Sequence, residues 1–265
     1  MMAEGLRAAC RAHCESLMAE RLDVGFIWKP SDSFYSGDSV GLIEKSHHQV
    51  TLLLSDAAGK GSASSLLSNR LDLWARDFLL DTHCSPAQLL AHLNAQICHP
   101  PRGDHYPPPI RQNLAPSFCN LASMLCVEID LQDSKLTLAN AGHEPLIVWW
   151  EGQEPMPIFA GEVCDFALGM VDEYQYHQRI LDLKKGFGIL AYTDGLTECT
   201  RFQGGGRFGH QRLLDLLRQY WRQTWQREAY PKAQRLASAI YQWVDEFTGS
   251  IFEDDMTLVV LACKG

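Results

Sequence analysis

The sequence predicts an α+β domain in which strands pair antiparallel and amphipathic helices cover them. Three observations predict it. Runs such as residues 50–54 (VTLLL) and 187–193 (FGILAYT) are apolar and short, as strands inside a sheet are. Successive runs are joined by short polar turns, as antiparallel neighbours are. Residues 62–78, 85–97, 208–221 and 232–247 instead repeat apolar side chains at helical spacing.

The chain has 265 residues, 46% of them hydrophobic and 21% charged, an ordinary composition for one large domain. Its formal net charge of -9, with no cluster of Lys and Arg, argues against nucleic acid as a partner. No apolar run approaches the roughly 20 residues that span a membrane. Nine irregularly spaced cysteines, without a secretory signal or a CxxC pair of metal-binding type, point to a reducing compartment and a cytoplasmic location.

In chain order, residues 2–21 form a helix with Leu6, Cys10, Cys14 and Leu17 on one side, and residues 1–22 are expected to be a docking or regulatory element apart from the main domain, 23–265. Residues 24–28 are the first strand; residues 40–43 and 50–54 form a hairpin that places Asp38 beside Asp56 at one sheet edge. Beyond Asp56, Gly59 and Gly61 allow a tight turn and Ser62 is expected to cap the next helix. Ser85 and Pro86 begin another helix, Ser85 as its N-cap. The six prolines between His99 and Pro116 exclude regular structure and define a long loop. Residues 121–130, 135–140 and 145–150 are three strands, with Leu136 and Leu138 alternating with polar residues as in a strand covered on one face. His143, in the Asn140–His143 turn, reads first as a hydrogen-bonded structural residue and second as a metal or proton site. The last strand, 256–262, follows Glu253-Asp254-Asp255.

Two nucleotide-binding readings fail. A Walker-type phosphate loop requires glycine at the place of Leu54 and a hydroxyl at that of Gly61; Gly204, Gly206 and Gly209 match a dinucleotide fingerprint only in spacing, because no strand precedes them. What remains is an acid at each of four strand ends: Asp38, Asp56, Asp194, and Asp254 or Asp255. Converging, each pair about 4 Å apart would repel by about 4 kcal/mol at an effective dielectric near 20, so cations would have to hold them. All-oxygen ligation selects Mg²⁺ or Mn²⁺ over zinc.

Six motifs in register, covering residues 24–263, resemble a known family: Ser36-Gly37-Asp38, Asp56-Ala57-Ala58-Gly59-Lys60-Gly61, Asn140-Ala141-Gly142-His143-Glu144-Pro145, Tyr192-Thr193-Asp194-Gly195-Leu196-Thr197-Glu198, Phe208-Gly209 and Asp254-Asp255-Met256-Thr257. The chain resembles the metal-dependent serine/threonine phosphatases of the PPM, or protein phosphatase 2C-like, family in their bacterial SpoIIE-like branch. The resemblance implies a four-layer α-β-β-α sandwich of two antiparallel sheets with a dinuclear Mn²⁺ or Mg²⁺ centre at one edge. It implies Asp38, Asp56, Asp194 and Asp254 as catalytic metal ligands, Asp56 bridging both ions and the Ala57 carbonyl oxygen adding a ligand, with Asp255 a neighbour. The implied reaction is attack of a metal-bridging hydroxide on phosphoserine or phosphothreonine in a regulatory protein, such as an anti-sigma factor antagonist. It also implies control by a partner chain or by dimerisation through residues 2–21, a role that truncation leaving mass and activity unchanged would refute.

The chain departs from the pattern in two places. Ala58 stands where eukaryotic members carry a candidate acid, a histidine, so the proton for the leaving group must come from metal-bound water or another residue. Residues 99–116 exceed the family's usual connection and are expected to border the substrate site; deleting them without changing rates on an aryl phosphate and the protein substrate would exclude this. The competing class is a phosphatase-fold adaptor that binds a signalling partner without turnover, disfavoured because the ligand acids are all present. A metal-dependent nuclease is disfavoured by the charge balance.

Overall fold

A computed structural model describes residues 21–31, 35–100, 121–162, 164–202, 204–225 and 233–263. In chain order the elements are β1 (Leu22–Lys29), β2 (Asp38–Glu44), β3 (Gln49–Ala57), α1 (Ser62–Asp81), α2 (Pro86–Cys98), β4 (Ala122–Asp130), β5 (Lys135–Ala141), β6 (Leu146–Trp150), β7 (Gln153–Ile158), β8 (Gln178–Asp182), β9 (Gly188–Tyr192), α3 (His210–Tyr220), α4 (Ala233–Thr248) and β10 (Met256–Cys263). The strands form two five-stranded sheets, β1-β10-β9-β6-β7 and β2-β3-β4-β5-β8, with every strand pairing antiparallel.

Side-chain alternation turns these sheets into four layers. Leu52 and Leu54 of β3, Leu125 and Val127 of β4, and Leu136 and Leu138 of β5 meet Val148, Ile189, Val259 and Leu261 of the other sheet. The intervening residues Leu53, Met124, Cys126 and Ala139 face outward onto Leu67, Leu71 and Ala75 of α1 and Leu89, Leu90 and Leu93 of α2. On the far side, Trp149, Leu190, Tyr192, Leu258 and Val260 pack beneath Leu213 and Leu217 of α3 and Leu236, Ile240 and Val244 of α4. Strands covered on both faces need apolar residues at consecutive positions, which is why β3, β9 and β10 read as unbroken apolar runs.

Several boundaries differ from expectation for local reasons. Gly61, at φ 81, is the N-cap of α1 and no side chain caps it; Ser62 is already the first helical residue. A left-handed φ is open to glycine, so the turn and not a hydroxyl starts this helix. At α2 the expected cap is present: Ser85 and Gln88 form a reciprocal capping box with Pro86 at the first turn. Strands β7 and β8 were not expected. Both are sheet edges; β7 carries Pro155 and Pro157, and β8 (QRILD) is exposed along most of its length, so neither shows an apolar run. The helix expected at 208–221 begins at His210 and passes after Tyr220 into a π-helical turn, Trp221–Trp225. Leu22, expected to close the N-terminal element, belongs to β1 and pairs with Cys263. All but Arg21 of the helix expected at 2–21, and most of the proline-rich loop, 101–116, lie outside the described residues.

Among the described residues, Cys84, Cys98, Cys126, Cys164, Cys199 and Cys263 are free thiols, and no helix is long and apolar enough to cross a membrane.

Candidate metal centre

The acids gather where one end of each sheet meets the other. Asp38 and Asp56 are direct partners in the β2–β3 register. Asp38 is buried, and its Oδ2 accepts hydrogen bonds from two hydroxyls of the opposite sheet, Thr193 Oγ1 at 2.8 Å and Thr257 Oγ1 at 2.6 Å. The threonines are themselves joined: the Thr257 amide donates to Thr193 Oγ1 and the Thr193 amide to the Thr257 carbonyl. One carboxylate thus stitches the two sheets together.

Asp194 opens a 3₁₀ turn, Asp194–Leu196, and its carbonyl accepts from the amides of Thr197 (2.8 Å) and Glu198 (2.7 Å). The turn lies flush against the acidic segment before β10: a Cβ on Gly195 would stand 1.9 Å from the Asp255 carbonyl oxygen. Asp254 and Asp255, alike in sequence, have different work. The Asp255 carboxylate accepts from the Ser31 amide (2.7 Å), the Ser31 hydroxyl (2.9 Å) and the Gly37 amide (2.8 Å), fastening the segment that leads into Asp38. Among the described residues, Asp254 accepts only its neighbour's amide, at 3.0 Å. The Ala57 carbonyl lies beside Gly37, where a Cβ would come within 2.9 Å of it and 3.3 Å of Asp56 Oδ1. Lys60 donates to the Glu253 carbonyl at 2.9 Å, tying the glycine turn after Asp56 to the acidic segment.

The charges feel one another. Burial, then the Asp56 carboxylate, holds the Asp38 carboxyl well above the usual range, against the pull of the two threonine hydroxyls. Burial pushes Asp56 up to about 7, with Asp194, Asp254 and Asp255 adding to it. Asp194 is raised by burial, Asp254 and Glu198, opposed by the Gly195 amide and Arg207. Each shift records a carboxylate short of compensating positive charge.

This environment is the test of whether a cation fits. The donors are carboxylate and carbonyl oxygens, the set a hard divalent ion takes, and a cation would favour the ionised form of the three aspartates that burial, and then mutual repulsion, raise. Among the described residues, however, no group of three or more His, Cys, Asp or Glu stands close enough to cage an ion. The oxygen set fits in chemistry; a closed cage is not formed.

Several residues at the site carried no assigned role in the sequence. Glu144 and Glu198 flank Asp194, and Glu144 is pushed up to about 7 by burial, Asp194 and Glu198. Both close motifs that hold an acid or histidine, yet nothing in their spacing places them beside Asp194. Thr193 and Thr257 each adjoin the acidic segments, but only sheet packing brings them to Asp38. His143 takes the structural role: its amide donates to Asn140 Oδ1 at 2.7 Å, its Nδ1 lies 2.6 Å from Ser123 Oγ, and burial pushes the ring down to about 3, so it is neutral.

The layered sandwich is that of protein phosphatase 2C-like domains. The SiaA-PP2C domain of Pseudomonas aeruginosa superposes with a TM-score of 0.74 at 20% identity, over 98% of this chain and 96% of that one. RsbX, solved in complex with magnesium, gives 0.63 at 13% identity, over 92% of this chain and 96% of that one. Residues 46–264 match the family described as Stage II sporulation protein E (SpoIIE), and the chain belongs to that family. It is 27% identical over 246 residues to the phosphoserine phosphatase RsbU of Bacillus subtilis, a match covering 92% of this chain and 64% of RsbU.

Proposed function

We propose that this chain is a metal-dependent phosphatase that hydrolyses phosphoserine or phosphothreonine on a regulatory protein, an anti-sigma factor antagonist fitting that description. The observation that carries the proposal is the half-buried Asp56 carboxylate, opposite Asp38 and within electrostatic reach of Asp194, Asp254 and Asp255. The relationship to RsbU, a phosphoserine phosphatase, and the magnesium complex of RsbX support the same chemistry.

Asp38, Asp56, Asp194, Asp254 and the Ala57 carbonyl would hold two Mn²⁺ or Mg²⁺ ions. Such ions, when bound, polarise phosphoryl oxygens and make water nucleophilic at neutral pH. The chain's own residues prepare the ground. Thr193 and Thr257 fix the Asp38 carboxylate, leaving its Oδ1 for a cation. Asp255 holds the strand entry through Ser31 and Gly37 instead of serving as a ligand. We further read residues 23–265 as one catalytic domain and residues 1–22 as a docking element for a partner chain or a second copy. The free thiols support a reducing, cytoplasmic setting.

The test is hydrolysis of p-nitrophenyl phosphate with Mn²⁺, with and without chelator, for wild type and Asp194→Asn. Metal-dependent turnover that collapses in the variant is expected. A folded protein that binds no Mn²⁺ would instead be a phosphatase-fold adaptor.

A further inference from the structure

We propose that His210 delivers the proton to the serine or threonine oxygen leaving phosphorus, an inference that rests on the phosphatase reading above. Cleaving a phosphate monoester of an aliphatic alcohol expels a strongly basic alkoxide, so a proton donor at the leaving oxygen lowers the barrier. Ala58 offers none.

The groups around Asp194 narrow the choice. His143 is buried and held neutral. Arg207 is paired with Glu198, and a guanidinium does not give up its proton near neutral pH. Tyr192 is buried, and burial with the Glu144 charge pushes its hydroxyl far above the usual phenol range. His210 differs from all three. It is the first residue of α3, its side chain is 53% exposed, and imidazole is the side chain that most often serves as a general acid.

The ring is also held in place. Its Nδ1 lies 3.2 Å from the Tyr192 hydroxyl and 3.4 Å from Glu144 Oε2, which leaves Nε2 without a protein partner among the described residues. The charged and titratable groups facing it are therefore Tyr192 from β9 and Glu144 from the β5–β6 turn; Arg212 of its own helix turns away, onto the Phe208 and Phe247 rings. Gly209, just before His210, donates its amide to the Thr197 carbonyl at 2.8 Å, and the Thr197 and Glu198 amides donate to the Asp194 carbonyl, so the start of α3 adjoins the turn that Asp194 opens at the rim of the acidic centre. In the reaction, water adds to phosphorus, the bond from phosphorus to the side-chain oxygen breaks, and the Nε2 proton passes to that oxygen. The freed alcohol and inorganic phosphate leave, and solvent restores the proton to the ring.

The experiment compares wild type with His210→Gln, both with Mn²⁺, on a phosphoserine peptide and on p-nitrophenyl phosphate, whose leaving group departs as a stable anion. His210→Gln is expected to lower kcat on the peptide about 100-fold and on the aryl ester far less, with melting temperature and calorimetric Mn²⁺ affinity unchanged. Tyr192→Phe, which keeps the buried ring and removes the hydroxyl at Nδ1, should show a smaller loss biased to the peptide in the same way. Equal losses on both substrates, or no loss on the peptide, would overturn the assignment. A wild type inactive on both substrates would sink the phosphatase reading itself, a result distinct from either.

Discussion

Asp38 on β2 and Asp56 on β3 stand directly opposite one another in an antiparallel register, two carboxylates at positions where like charges destabilise a sheet. The pair costs stability in the metal-free protein. Asp56→Asn, which keeps the shape and removes a charge, should therefore raise the metal-free melting temperature by a few degrees, corresponding to about 1–2 kcal/mol. It should also abolish the further rise that Mn²⁺ gives wild type. Differential scanning fluorimetry with and without Mn²⁺ checks both, and a lower metal-free melting temperature would contradict the repulsion.

The same crowding predicts a pH dependence. Carboxyls raised on folding hold protons in the native state that the unfolded chain, titrating near 4, has already released. Stability is therefore lost as pH rises through the folded values, which for Asp56 and Glu144 are about 7. His143 works in the other direction, but only below its unfolded value near 6.5. Between about pH 6.5 and 8 the metal-free protein should become less stable, and saturating Mn²⁺ should flatten the slope. Urea midpoints across that range, with chelator and with Mn²⁺, measure it.

Thr257→Val exchanges a hydroxyl for a methyl at nearly constant volume and leaves Asp38 Oδ2 with Thr193 alone. Expected are a stability loss of about 1–3 kcal/mol and a Mn²⁺ affinity weakened about 10- to 100-fold. Chemical denaturation and isothermal calorimetry read the two effects separately.

Gly195→Ala should destabilise the fold by about 2 kcal/mol or more, because its Cβ would meet the backbone oxygen of Asp255 at 1.9 Å, and backbone on both sides must move. Gly204→Ala is the control, with nothing within 4 Å of the added atom. It should lose only about 1 kcal/mol, for its left-handed φ. Thermal melts of the two variants distinguish them.

The sequence by itself determined the buried strands, the periodic helices, the Ser85 N-cap with Pro86 after it and the placement of acids where strands end. These follow from spacing and composition among near neighbours, which a linear reading contains. It could not show β7 and β8, because edge strands half exposed to water need no apolar run. Nor could spacing separate Asp254 from Asp255, which only the family resemblance set apart. Adjacent acids carry the same local signal, and their roles part only where Ser31 and Gly37, more than 200 residues away, donate to one of them. The bonds from Thr193 and Thr257 to Asp38, and the approach of Glu144 to both Asp194 and His210, were likewise decided by tertiary structure. Packing two sheets face to face joins residues that no periodicity relates, and the electrostatics of the site depend on those distances.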